Sequence, residues 1–423
     1  MRPGSARDWR RFWRAWDPLL AVPVLLLLLA GALTVYSATA LTEHGGTELI
    51  VRHLFAILLG AGAAYLMAKI PPRGLADFSP LLFAGSLLLL LLVLLAGEVH
   101  GGARRWLACG PVRLQPSEPA KLAFLIYLAH FLSRPGRDLR RTSVLVRALA
   151  VILVPTILVL RQPDLGTALA FPAVGVVMLV WWGLPWLTLG LLLSPFATGI
   201  LAGLRYAADV PALLGWLWVP VTALGALWLR RRGTGWVLVG AFVLLQLFVA
   251  LEVGRVWNGL EPYQQARLRT FMHPERDPSG AGYQVIQSKI AIGSGCTLGR
   301  GFGLGSQKAL AFLPRQHTDF IYSVVGEEFG FLGATLVLGL YGALLLRGCA
   351  LARRMRSPFA SLATIGVTTL VGYHAAVNIG MTLGLMPVTG LPLPLLSYGG
   401  SFLVTMMAAV GLLLGMAARR YER

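Results

Sequence analysis

From residue 18 onward the chain is made of apolar stretches about as long as a bilayer is thick, and that repeated run length decides its class. A helix rises about 1.5 Å per residue and the hydrocarbon core is about 30 Å deep, so a crossing needs roughly 20 mostly apolar residues. Such stretches fall at about 18–38, 50–69, 79–97, 118–133, 144–160, 167–183, 186–204, 211–229, 235–254, 320–346, 359–384 and 401–418. The composition agrees. Of 423 residues, 56% are apolar and 13% charged, against about 45–50% and 25% in soluble domains. The expectation is an all-α polytopic membrane protein with about 12 transmembrane helices. The stretch at 118–133 is short and opens on Glu118 and Lys121, so its outer end must lie in protein or water.

The net charge of +19 has two readings, nucleic-acid binding or membrane sidedness. The distribution favours sidedness. Basic runs at Arg2–Arg14, Lys69–Arg73, Arg134–Arg141, Arg230–Arg232, Arg347–Arg356 and Arg419–Arg423 all fall on one face when the stretches alternate. That is the cytoplasmic face by the positive-inside rule, and it puts both termini inside. No zinc spacing or RNA-binding signature is present, so no nucleic acid is expected as a partner. Cys109, Cys296 and Cys349 are too few and scattered for a disulfide framework or metal site. The arginine-rich start leads into a full-length span, so no cleavable signal is expected.

The same alternation places 98–117, 161–166, 255–319 and 385–400 outside. The long segment 255–319 holds apolar pieces too short to span, divided by glycines, which reads as short re-entrant or interfacial helices. It also carries Arg267, Arg269, Lys289, Arg300, Lys308 and Arg315, which sidedness does not explain. A basic outer rim suits an anionic ligand such as a phosphate ester; contact with anionic membrane lipids and loop ion pairs are the plainer readings.

Acids cluster nearby in sequence. Asp319, in His317-Thr318-Asp319-Phe320, stands where the loop becomes a span; it is either a helix N-cap or a general base at a cavity mouth. Glu327 and Glu328 follow about two turns on, and carboxylates inside a membrane are functional candidates by default. Ser117 reads as an N-cap, with Glu118 and Lys121 on one helical face as a local ion pair or a substrate-orienting one. Asp164, in Gln162-Pro163-Asp164, reads as a cap. The turn from Met386 to Ser401, with Ser397 and Tyr398, is too rich in proline and glycine to continue a helix and is tolerated at membrane depth only where it lines a cavity. Asn378 lies in the span just before it.

Taken together, YSA at 36–38, RLQPSEPAK at 113–121, RQPDLGTA at 161–168, GYQVIQSKIAIGSG at 282–295, LPRQHTDFIYSVVGEEFG at 313–330 and MPVTGLPLPLLSYGGSF at 386–402 closely resemble the SEDS family (shape, elongation, division and sporulation), its elongation-type members more than its division-type ones. The resemblance implies a peptidoglycan glycosyltransferase that polymerises lipid II on the outer face of the cytoplasmic membrane beside a class B penicillin-binding protein. It implies that Asp319 is the essential acid and that Glu118 and Lys121 are the family's cavity ion pair. No cofactor is demanded; Mg2+ or Mn2+ at the leaving diphosphate is possible. The competing class is a lipid flippase or transporter, weakened by the lack of visible internal repeats. The family usually has ten spans, so 186–229 is read as an inserted helical hairpin in a single transmembrane domain covering 1–423. Cys296-Thr297 stands where the family commonly has Gly-Gly.

Overall fold

The computed structural model describes residues 17–39, 46–100, 103–109, 112–207, 212–272, 281–305 and 317–421. In chain order the elements are α1 (Pro18–Thr39), α2 (Gly46–Lys69), α3 (Pro72–Ala96), β1 (Glu98–His100), β2 (Ala103–Cys109), β3 (Val112–Leu114), α4 (Ser117–Ser133), α5 (Thr142–Leu160), α6 (Leu165–Trp181), α7 (Trp186–Ala207), α8 (Trp218–Arg231), α9 (Trp236–Asn258), α10 (Pro262–Met272), α11 (Ala281–Ser294), α12 (Ile321–Arg354), α13 (Pro358–Thr382) and α14 (Gly400–Ala418). The protein is a nearly all-helical polytopic membrane protein, and all twelve apolar stretches fall on helices. The exception to the all-α expectation is a small antiparallel sheet in the order β1-β2-β3, within the stretch read as an outer loop.

Among the described residues nine helices are long and apolar enough to cross a membrane. The other three are shorter. Helix α4 has 17 residues and is buried on nearly every side, so its charged start lies in protein, as its length demanded. Helix α6 also has 17 residues. Helix α8 has only 14 and begins at Trp218 rather than near 211; a 3-10 turn precedes it, and Pro220 sits in its first turn, where a missing N–H costs nothing. Helices α10 and α11, with 11 and 14 residues, are too short to span, as expected of the 255–319 segment.

The chain divides into two compact units. One comprises Leu184–Ile286 with Gly384–Val388, and the other holds the remainder. In the larger unit α13 packs against α4, α6, α12 and α14, and α13 and α14 are its most enclosed long helices. Lipid offers apolar side chains no reason to prefer one another, so membrane helices associate through close backbone approach at small residues. The tightest pair shows this. Gly411 and Gly415 of α14, four residues apart, face Ala64 and Ala68 of α2; a Cβ on Gly411 would stand 2.1 Å from the Ala64 carbonyl oxygen, and one on Gly415 2.7 Å from that of Ala68.

Gly411→Leu should therefore lower stability by on the order of 3 kcal/mol, since overpacking a close contact forces the backbones apart. Gly62→Leu on the open side of α2, where a Cβ meets nothing within 4 Å, should change little. Thermal unfolding in detergent measures both, and equal midpoints would refute the contact.

Candidate functional site

Asp319 sits in a turn at 317–320, one residue ahead of Phe320, the N-cap of α12, so it does not occupy the capping position. Its main chain is held from an unexpected direction. The carbonyl of His317 accepts from the Tyr398 N–H at 2.9 Å. The carbonyl of Thr318 accepts from Ser397 Oγ at 2.6 Å. The carbonyl of Asp319 accepts from Asn378 Nδ2 at 2.9 Å. Three consecutive carbonyls are thus each taken by a different residue. The clamping groups are fixed in turn: Ser397 Oγ accepts from the Leu393 N–H at 2.8 Å, and Asn378 also donates to the Leu391 carbonyl at 2.7 Å. Ser397 and Asn378 are fully buried, while Asp319 is half-buried. Its carboxylate lies beside Gly390, where φ is +73°; Oδ2 is 3.3 Å from the position a Cβ would take there.

The broken segment before α14 is what makes this possible. Its prolines exclude a helix, its buried leucines face protein, and the Pro394 carbonyl accepts from the Tyr341 hydroxyl. Leu395, 1% exposed, takes φ +65°, a conformation rarely held by a branched side chain unless its surroundings force it. Tyr398 also lies between two imidazoles, 5.7 Å from His317 and 5.8 Å from His53 by ring centroids.

A second polar group lies at the start of α4. Lys121 Nζ is 3.0 Å from both Glu118 oxygens and 2.9 Å from His374 Nε2 of α13. All three residues are at most 2% exposed. An ammonium donates and cannot accept, so His374 Nε2 must present its lone pair and the ring must be neutral. His374 and Asn378 are four residues apart, hence on one face of α13, so this helix carries a partner for the ion pair and a partner for Asp319 one turn apart. Ser117 lies inside the first turn of α4 with a buried hydroxyl that has no hydrogen-bond partner; Pro116 holds the N-cap, so the capping role read from sequence is not realised. Asp164 does cap α6, accepting from the Thr167 N–H at 3.2 Å. It also accepts from Gln115 Nε2 at 3.2 Å, and Arg105 of β2 stands 3.9 Å away.

Glu327 and Glu328 lie just before a break in α12 at Gly330, where φ is +63°. Continuing the helix would pair the Phe331 and Leu332 N–H groups with the Glu327 and Glu328 carbonyls. Instead those donors go to the carbonyls of Cys296 and Thr297, at 2.9 and 3.1 Å. The two freed carbonyls accept from the Arg300 and Gly301 N–H groups, both at 3.0 Å. These four backbone groups are therefore re-paired across the break, as a buried backbone requires. Only the carbonyls of the Cys296-Thr297 pair take part in this exchange, so their side chains do not block it, but Cys296 takes φ +50°, a conformation that favours glycine. Ser37 donates to Glu328 Oε1 at 2.5 Å, and the Glu327 carboxylate packs on Gly305.

Of the basic residues, Arg267 and Arg269 are on α10 in the smaller unit. Arg267 lines a small cavity with Thr270, Phe271 and Val285, and Arg269 stands 5.5 Å over the Trp257 ring. Lys308 and Arg315 lie outside the described residues. No cluster of three or more metal-ligating side chains occurs among the described residues. His374 and Gln115 were missed from sequence; a polar residue on an otherwise apolar span, at helical spacing from Asn378, was the available signal for His374.

Removing one partner of a buried ion pair strands the other charge. Lys121→Met should cost about 3–5 kcal/mol, whereas Glu118→Leu combined with Lys121→Met should recover most of that. Thermal unfolding of the two variants decides it; a double variant as unstable as the single would refute a mutually neutralising pair.

The family model for the cell cycle proteins FtsW, RodA and SpoVE matches residues 18–209 and 217–422. The chain is 36% identical to the peptidoglycan glycosyltransferase MrdB of Escherichia coli, covering 96% of this chain and 95% of that one. It is 35% identical to the peptidoglycan glycosyltransferase RodA of Treponema pallidum, with 96% and 98% covered. Among solved structures it is similar to a chain of a peptidoglycan synthase complex that coordinates polymerization and crosslinking, with TM-score 0.70, 34% identity, and 96% and 99% covered. It is also similar to the rod shape determining protein RodA of Thermus thermophilus, with TM-score 0.63, 29% identity, and 97% and 99% covered. These matches along nearly the whole chain place it in the FtsW/RodA/SpoVE family of cell cycle proteins.

Proposed function

We propose that this protein is a peptidoglycan glycosyltransferase that polymerises lipid II into β-1,4-linked glycan during cell-wall elongation. It would work from the outer face of the cytoplasmic membrane, with both termini inside. The names of its relatives in Escherichia coli and Treponema pallidum support the activity. Within the protein, the observation that carries the reading is the capture of the three carbonyls at 317–319, which leaves the Asp319 carboxylate on a fixed support.

An alcohol is a weak nucleophile until its proton is leaving, so the reaction needs a base within hydrogen-bond reach. Asp319 takes the proton of the acceptor GlcNAc 4-hydroxyl as that oxygen attacks the anomeric carbon of the donor. The bond to the diphosphate breaks on the opposite side, and its electron pair leaves with undecaprenyl diphosphate. An α-linked donor thereby becomes a β link in one inverting displacement. Glu118, Lys121, Ser117, Asp164, Glu327, Glu328, Ser397 and Tyr398 shape and orient the cavity. Arg267, Arg269, Lys308 and Arg315 are assigned to the developing diphosphate charge, which Mg2+ or Mn2+ would neutralise in the same way.

A crosslinking partner follows from the same reading, and a class B penicillin-binding protein is the proposed one; the structural likeness to a complex coordinating polymerization and crosslinking supports it. The stretch 186–229 is proposed as an accessory hairpin that takes no part in the chemistry of a single SEDS-type domain.

Asp319→Asn tests the assignment. The clamp holds main-chain carbonyls and is indifferent to the side chain, so the variant should fold normally. Polymerisation of purified lipid II by purified protein with its transpeptidase partner should fall by at least about a hundredfold, the scale of lost general-base catalysis. A folded variant that keeps more than a tenth of the wild-type rate would remove Asp319 from that role.

A further inference from the structure

Trp186, Gly190, Ser194 and Thr198 follow at four-residue steps along α7 and share one face. With Thr222 of α8 and Phe242 of α9, among others, they line a cavity of about 560 Å3. That is within the roughly 300–1,000 Å3 of sites that hold small molecules. Most polar groups in its wall are used among themselves. Thr198 Oγ1 donates to Gln246 Oε1 at 2.7 Å, Gln246 Nε2 donates to Ser194 Oγ at 2.6 Å, and Ser194 Oγ donates to the Leu191 carbonyl at 2.9 Å. This chain ties α7 to α9. The buried Thr222 hydroxyl has no hydrogen-bond partner, and the rest of the lining seen by an occupant is largely apolar.

The dimensions and the charge identify the occupant. From Trp186 to Thr198 is about 18 Å along the helix, close to the ~15 Å depth of one leaflet's hydrocarbon. Helix α7 runs away from the Trp186 end and α8 returns to it, where Arg232 also lines the cavity. There Arg230, Arg231 and Arg232 follow in sequence. Among the described residues no carboxylate pairs with them. Arg230 lies 4.4 Å over the Trp236 ring and Arg232 5.2 Å over that of Trp228, a cationic and aromatic rim of the kind found at headgroup level. Basic pockets between membrane helices suit anionic headgroups. We propose that this cavity binds one anionic glycerophospholipid, with an acyl chain along the Trp186–Thr198 face and its phosphate among Arg230–Arg232. A polyprenyl chain would overrun a groove one leaflet deep. The assignment stands independently of the glycosyltransferase reading.

The test uses the purified full-length chain in detergent, with native mass spectrometry against phosphatidylglycerol and phosphatidylcholine of identical chains. One phosphatidylglycerol should bind in preference to phosphatidylcholine. Gly190→Leu projects into the cavity, since a Cβ there meets nothing within 4 Å, and should weaken binding at least tenfold. Arg231→Gln with Arg232→Gln should remove about fivefold per arginine from phosphatidylglycerol binding and leave phosphatidylcholine unchanged. Should Gly190→Leu fail to fold, the unaltered protein still decides the matter. A phosphatidylglycerol carrying a photoreactive group at its chain end should label peptides around Thr198, Val221 and Phe242. Wild-type binding by a folded Gly190→Leu, equal affinity for the two headgroups, labelling elsewhere, or stronger binding of a polyprenyl phosphate would each overturn the proposal.

Discussion

The arrangement around Asp319 depends on three hydrogen bonds to consecutive carbonyls, made by Tyr398, Ser397 and Asn378. None of the donors is near that turn in sequence. A loop held by its own neighbours can shift as a unit; one held from α13 and from the segment before α14 moves only if those elements do. That segment could not supply the clamp as a helix, because its own N–H groups and carbonyls would be spent internally. Its prolines keep them available, and enclosure by protein keeps the freed groups away from lipid.

The buried ion pair obeys the same logic of enclosure. Charges within a membrane persist only when paired and shielded. Helix α4 is too short to cross comfortably alone, but it is surrounded by protein, so its length is no longer set by lipid and its first turn can hold Glu118 and Lys121. His374 completes the shell around the ammonium and stands one turn from Asn378 on α13. The two polar centres are thereby registered along one rigid helix rather than along a loop, which is how a site keeps its spacing while substrates come and go.

Much of this was legible in the sequence. Run length gave the membrane class and the positions of the helices, because lipid thickness imposes one rule on every span. The acids and the broken segment stood out because polar, proline-rich sequence is costly in such a chain. What remained hidden depended on three-dimensional pairing. Ser117 looked like a cap by residue type, yet the helix starts one residue earlier. Asp319 looked like a cap for the same reason, yet Phe320 takes the capping position, and the Asp319 carbonyl is held by Asn378 from another helix. His374 was invisible because a histidine on an apolar helix gains meaning only from what faces it. The small sheet went unread because its strands are short and lack a long alternating pattern.

The break at Gly330 has a consequence for length. Helix α12 counts 34 residues, which unbroken would reach about 51 Å, far more than a bilayer requires. The 24 residues after Gly330 rise about 36 Å, enough to carry the chain across unaided. The nine residues before it, from Ile321 to Phe329, are released from hydrophobic matching altogether. They form a separate short rod, fastened sideways to residues 296–301 by exchanged backbone bonds. Asp319 stands at one end of that rod and the paired glutamates at the other. Variation in membrane thickness, or tilting of the long span to accommodate it, can be taken up below the break without altering the distance between them.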